Sequence, residues 1–310
     1  MNRLSKREKK KKLPRKRDKR YTFSGKIIWF FLFLLFIASG IFLITLLRDQ
    51  PSPGKDKAKE EPAAIAPPSE KQIDHGAPPE EEAAQLPMVA VIIDDIGANL
   101  DYFTDLLNID MPITLAILPN RRFTDEAIRR AGERGFEILL HLPMEPDNYP
   151  FSNPGKDAIF AFMTEQQIRE TVESGFRSVP CAVGVNNHMG SRGTRDPRIM
   201  KAVLGVLKTH DLFFIDSRTT KETVAYQLAK EMGLRADSRS VFLDVQAEEE
   251  YVMEQMHILI EKAKTSGYAI GIGHNNRATV NVLKTMHTSL EEMGVRPVYC
   301  SQLPSLSCEP

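Results

Sequence analysis

The sequence predicts an α/β domain built on a parallel sheet, and three observations predict it. Seven short apolar runs recur from Met88 onward: "MVAVII", "ITLAIL", "FEILL", "CAVGV", "DLFFI", "SVFL" and "YAIGIG". Continuous runs of this kind suit strands covered on both faces, as parallel strands are. Amphipathic helix signals fall between them. Six of the seven runs also end in an ionisable or metal-competent side chain.

In chain order, residues 1–26 form a basic tail. Over the whole chain 41 Lys and Arg balance 41 Asp and Glu, which implies no nucleic-acid partner, but "KREKKKKLPRKRDKR" concentrates the positive charge at the start. Residues 27–47, "IIWFFLFLLFIASGIFLITLL", carry no charge. That is enough helix to cross a hydrocarbon core of about 30 Å, so the sequence predicts a single transmembrane helix. The basic cluster before it should stay in the cytoplasm, which puts the rest on the periplasmic, extracytoplasmic side of a bacterial-type inner membrane. A cleaved signal peptide is the rival reading; the apolar stretch is too long for it and no small-x-small site follows. Residues 48–87 are rich in Pro, Glu and Ala, with too little apolar surface to fold, and read as a disordered tether reaching roughly 35 Å as a coil and ~120 Å when extended. Residues 88–310 then form the α/β domain. Cys300 and Cys308 lie close enough in sequence to pair in an oxidising compartment, leaving Cys181 odd; none has zinc-ribbon spacing.

Within the domain, Thr124 with Asp125 and Glu126 marks a helix start, and Arg129, Arg130 and Arg134 precede the stop at Gly135. Thr164 with Gln167, and Thr219 with Glu222, have capping-box spacing. Asp196 followed by Pro197 is a cap and first-turn pair. Two further helices run through "VMEQMHILIEKA", closing near Gly267, and "ATVNVLKTMHTSLEEM", closing at Gly294.

The strand ends carry the chemistry. "VII" runs into Asp94 and Asp95, "ILL" into His141, "VGVNN" into His188, "FFI" into Asp216, "VFL" into Asp244 and "GIG" into His274. Parallel α/β sheets place active sites at the carboxyl ends of strands, so these groups should share one rim. Carboxylate plus imidazole suits zinc, cobalt, nickel or iron better than magnesium or calcium, and two His with one Asp leave a coordination position open. Asp94 and Asp95 cannot face the same way on an extended strand. At a strand-to-loop transition both can border an ion, one binding it and the other handling a proton.

"VIIDDIG", "ILLHLPMEP", "GVNNHMGSR" and "GIGHNN" together resemble the divergent polysaccharide deacetylase family, over residues 88–303. The resemblance implies an irregular seven-stranded β/α barrel and a metal-dependent deacetylase, with zinc as the metal and a polysaccharide as substrate. It implies Asp94 as general base, Asp95 as a ligand, His141 as a second ligand and His274 as general acid. The larger polysaccharide deacetylase group has a second histidine four residues after the first, where this chain has Glu145. His188 is the expected replacement, giving a ligand set of Asp95, His141 and His188, with Glu145 as the alternative. The group's arginine motif is also missing, leaving Arg192 or Arg218 to orient Asp94. The implied reaction is hydrolysis of an N-acetyl or O-acetyl group by a metal-activated water. A binding module for glycan or an envelope protein is the alternative; a metal-free barrel whose strand-end residues only cap helices is the blandest.

Several neighbours have a functional and a structural reading. Asp216 and Asp244 are expected to accept hydrogen bonds from His274 or a ligand histidine. Met144, Tyr149 and Phe151 read either as an apolar platform for a sugar ring or as a loop packed on itself. Asn186, Asn187, Asn275 and Asn276 read either as partners of sugar hydroxyls or as ordinary loop residues.

Overall fold

The computed structural model describes residues 86–307. The predicted tail and membrane span, nearly all of the tether, and Cys308 lie outside the described residues. Among the described residues no helix is long and apolar enough to cross a membrane.

The chain alternates strand and helix as the apolar runs predict. Among the described residues the nine strands are β1 (Met88–Ile96), β2 (Thr114–Ile117), β3 (Glu137–Met144), β4 (Gly184–Met189), β5 (Phe213–Asp216), β6 (Ala236–Ser238), β7 (Val241–Phe242), β8 (Tyr268–His274) and β9 (Arg296–Val298). The same residues form seven α-helices: α1 (Phe103–Leu107), α2 (Thr124–Gly132), α3 (Glu165–Ser178), α4 (Pro197–Thr209), α5 (Ala225–Glu231), α6 (Glu249–Ser266) and α7 (Arg277–Met286). The strands lie in the order β6-β5-β4-β3-β2-β1-β8-β7, with β9 added beside the start of β1, and the pairings are parallel.

The two ends of this order, β6 and β7, are separated in sequence only by Arg239 and Ser240. Three peptide steps span at most about 11 Å, so the sheet must curl until its ends meet. No ladder joins β6 to β7 among the described strands. The predicted barrel is therefore a curled parallel sheet with a seam crossed by the chain itself. Two of its strands, β6 and β9, do not stand out in the sequence, and β4 begins three residues later than "CAVGV" suggests.

Alternation along the strands sorts the core into two layers. Val89, Val91 and Ile93 of β1 face the helices, whereas Ala90 and Ile92 face the inside of the curl with Ala116, Leu139, Phe213, Ile215, Ile270 and Ile272. Burying such a side chain contributes about 1.5–3 kcal/mol. Gly184 is the small member of this inner layer, since a Cβ there would collide with the Phe213 ring. Val298, Cys300, Leu303 and Leu306 plug the amino end of the inner layer.

The helix boundaries test the capping signals. Thr164 and Gln167 form a reciprocal capping box, Asp196 caps α4 ahead of Pro197, and Gly267 ends α6 in the left-handed region at φ 85°. Thr124 does not cap α2: its hydroxyl donates to Leu118 O at 2.7 Å, accepts from Arg121 N, and leaves Phe123 as the cap. Thr219 caps nothing either. Its hydroxyl donates to Met189 O, and α5 starts later, after Val224. The last predicted helix stops at Met286, and a run of turns carries the chain to Gly294.

Candidate metal centre

The inner layer turns polar at the carboxyl end of the sheet. On β1 the inward positions run Ala90, Ile92, Asp94; on β3, Leu139 is followed by His141; on β8, Ile272 by His274. Asp94 is opposite His274 in the β1–β8 register, and His141 is opposite Asn186 between β3 and β4. Asp95 would point to the helix side if β1 stayed extended. Instead its backbone is left-handed at φ 63°, and the β1–β2 register slips between Ile93 and Ile96. This kink returns the second carboxylate to the rim, which is how both aspartates border one site.

Three ligand-competent groups converge there. One ligand atom from each of Asp95, His141 and His188 lies within 4.8 Å of the others. Asp95 Oδ1 is 2.7 Å from His188 Nδ1 and 3.2 Å from His141 Nε2, and the two imidazoles meet edge to face with centroids 5.0 Å apart. Yet Asp95 Oδ1 is buried with no hydrogen bond, because neither contact has the alignment of an N–H···O bond. An orphaned carboxylate oxygen between two imidazole nitrogens is the arrangement a cation completes, and one oxygen with two nitrogens is a donor set for zinc or a similar ion.

Asn186 sets the orientation of this group. It is fully buried, its Oδ1 accepts from His141 Nδ1 at 2.8 Å, and its Nδ2 donates to Asp94 Oδ1 at 2.8 Å. With its proton on Nδ1, neutral His141 turns a bare Nε2 toward Asp95. Burial pulls the His141 imidazole down, but the Asp94 and Asp95 carboxylates outweigh burial and raise it. A cation held at Nε2 would compete with a proton for that nitrogen.

Electrostatics separate the two aspartates. Burial raises Asp94 above the usual carboxylate range, against the pull of His141 and His274, which makes it a stronger proton acceptor. Asp95 is also pushed up by burial, but the facing imidazoles of His141 and His188 prevail and hold it well below that range. His274 Nδ1 bonds Asp244 Oδ1 at 2.9 Å, while its Nε2 faces Asp95 Oδ2 at 3.9 Å. Burial lowers His274, yet its bond to Asp244 and the nearby carboxylates raise it to about 9. Asp244 is held in turn by the His274 amide, Asn276 and Thr279.

The neighbours sort less evenly. Asp244 bonds His274 as expected, but Asp216 accepts from Thr223 and the amides of Arg218 and Tyr226, so it braces the start of α5 instead. Glu145 is outside the cluster: Arg192 donates to its Oε1 at 2.9 Å and Ala161 N to its Oε2. That pairing also removes Arg192 as a support for Asp94. Asn187 is used up by Met189 O and Ser217 N, and Asn276 caps α7. Met144 is fully buried. Tyr149 rests on Phe160, and Phe160 stacks on Phe162 at 5.4 Å. Phe151 is left 95 % exposed, so the loop both packs on itself and presents aromatic surface.

A cavity of about 370 Å³ opens over the centre, lined by Asp94, Asp95, His141, His188 and His274 together with Arg218, Arg239 and Phe242. Arg239 escapes sequence reasoning because it lies in the two-residue junction at the seam, next to a strand too short to show a period.

Comparison with known proteins agrees with this architecture. The family model described as "Divergent polysaccharide deacetylase" matches residues 91–304. An uncharacterized protein of Haemophilus influenzae is 34% identical over 204 residues, which cover 66% of this chain and 72% of that protein. The uncharacterized protein YibQ of Escherichia coli K12 is 35% identical over 199 residues, covering 64% and 61% respectively. The matched segment thus spans less than two thirds of the second relative. The crystal structure of an uncharacterized Agrobacterium tumefaciens protein shares the fold, with a TM-score of 0.68 at 21% identity, covering 72% of this chain and 93% of that one.

Proposed function

Because the chain belongs to the divergent polysaccharide deacetylase family, we propose that it is a metal-dependent hydrolase that removes N-acetyl or O-acetyl groups from an envelope polysaccharide. The observation that carries this reading is the convergence of Asp95, His141 and His188 on one buried oxygen, flanked by Asp94 and His274. Asp95, His141 and His188 would hold the ion, with zinc the metal that best suits the donors. Such an ion polarises an acyl carbonyl and makes a water nucleophilic near neutral pH.

The chain's own groups supply the proton transfers. Asp94, made more basic by burial and fixed by Asn186, takes a proton from the attacking water. His274 is held by Asp244 through Nδ1, so its Nε2 is free to protonate the departing amine or alkoxide. Its raised pKa keeps it charged at neutral pH. In the same proposal residues 27–47 anchor the protein in the inner membrane and residues 48–87 let the domain reach glycan on the periplasmic side.

The test is acetate release from acetylated glycans by the full-length chain supplied with zinc. Release that stops with chelator and with Asp94→Asn supports the reading. Release undiminished in Asp94→Asn would refute the assigned base. Glycan binding that is equal in wild type and Asp94→Asn, with no acetate from either, would make the protein a binding module.

A further inference from the structure

Two arginines on the wall of the cavity have no carboxylate within ion-pairing distance among the described residues. They are Arg218, in the left-handed region at φ 49° two residues past the end of β5, and Arg239 at the seam between β6 and β7. Arg218 is exposed, and its side chain makes no hydrogen bond. Arg239 is partly buried and rigidly held: its Nε donates to Ser217 O at 2.7 Å, its Nη2 to Arg218 O at 3.0 Å, and its guanidinium lies 4.8 Å from the centre of the Phe242 ring. These contacts fix the group without neutralising it. Burial and the neighbouring Arg218 push Arg239 downward, and the charges of Asp216 and Asp94 do not offset them.

Elsewhere Arg121 and Arg134 also lack a carboxylate, but they bond carbonyl and amide oxygens away from the cavity, and other arginines are ion-paired. Arg192 is paired with Glu145, Arg195 with Glu222 and Asp147, and Arg235 with Asp211. The acidic groups that could face the cavity pair are already committed. Asp94 bonds Asn186, Asp95 faces the imidazoles, Asp216 braces α5, and Asp244 holds His274. A planar guanidinium held in place beside a reactive centre, with a second cation next to it, is built to receive an oxyanion.

Resting on the hydrolase reading above, we infer that Arg218 and Arg239 form an anion subsite, and that the acylated sugar this protein acts on carries a carboxylate close to the scissile group. The carboxylate would accept from the free edge of Arg239 and from the exposed Arg218, placing the acyl group over the metal centre. Neutral acetylated sugars would enter the cavity without that anchor.

The experiment compares three acetylated oligosaccharides of equal length with the full-length zinc-loaded chain: one neutral, one with a lactyl ether carboxylate, one with a hexuronate carboxylate. At least one carboxylated arm should exceed the neutral arm by about tenfold or more in kcat/KM, chiefly through KM. The two carboxylated arms identify the source of the anion. Arg218→Gln and Arg239→Lys should each compress that ratio toward one. Arg218→Gln is the safer variant, because its side chain braces nothing. Turnover without preference for either carboxylate would overturn the subsite and leave the hydrolase reading intact. If no arm is hydrolysed, calorimetric binding decides. Carboxylate-dependent binding weakened in Arg218→Gln keeps the subsite and removes the hydrolase, and binding indifferent to the carboxylate overturns the subsite.

Discussion

The two ends of the curled sheet are lined by the same strands and differ in how far they satisfy their polar groups. At the amino end Thr114 donates to Glu137 at 2.8 Å and accepts from Cys300 N, Tyr268 donates to Asp237, and Arg235 binds Leu306 O. Val298, Leu303 and Leu306 fill the space between them. At the carboxyl end Asp95 Oδ1, Ser217 Oγ and Asn275 Oδ1 are buried without partners, and Arg218 and Arg239 lack counterions. A two-residue step along one strand, from Ile92 to Asp94 or Leu139 to His141, separates the regimes. At the amino end one such atom, Arg296 Nε, is also unpaired, but the unmet hydrogen-bonding capacity gathers around the cavity at the carboxyl end, as in a place prepared for a guest.

Substitutions at the two ends should therefore break different things. The largest effect belongs to Asp94→Asn, which should lower kcat for acetate release by about 10²–10⁴-fold with little change in melting temperature. A melting temperature that collapses instead would make Asp94 a structural residue. Next comes Leu306→Ala at the plugged end. Removing this fully buried side chain should cost about 2–5 kcal/mol in denaturant unfolding while leaving zinc affinity unchanged. Coupled loss of metal binding would show that the ends are not independent.

Asn186→Ala sharpens the comparison within the open end. It frees the His141 tautomer and should weaken zinc binding by about 10–100-fold, read by competition with a chromogenic chelator. The smallest effect is on pH dependence. The folded pKa of His274 is about 9, above the roughly 6.5 of an unfolded histidine, so its stabilisation is fully present below about pH 6.5 and lost as pH rises through 9. In metal-free protein the melting-temperature advantage of wild type over His274→Gln should shrink across that window. The effect is modest because the side chain is 35% exposed. An advantage independent of pH would place its origin in packing.

Much of this contrast is legible in the sequence because apolar runs end in charged or metal-competent side chains. The apolar runs of β1, β3 and β8 announce strands, and a carboxylate or imidazole at the next inward position announces the rim. What escapes is whatever depends on contacts made after folding. Asp95 reaches the site through a left-handed backbone that no residue type specifies, and Asn186 looks like any loop amide until it is seen to span 92 positions to reach Asp94. Strands of three residues, such as β6 and β9, are too short for a period. Thr124 and Thr219 have the right composition for caps, but their hydroxyls donate to carbonyls outside their helices, Leu118 O and Met189 O, instead.

The pairing of β1 has a consequence for how the protein is made. Met88 pairs with Tyr268, a separation of 180 residues (268 − 88), whereas Thr114 pairs with Glu137 only 23 residues on (137 − 114). Contacts that enclose so long a loop form late and slowly. During synthesis the strand bearing both aspartates must wait for its far partner with one edge uncovered. Chaperone dependence and a slow refolding phase are the expected signatures of that delay, and a circular permutant that brings β8 next to β1 in the chain should shorten it.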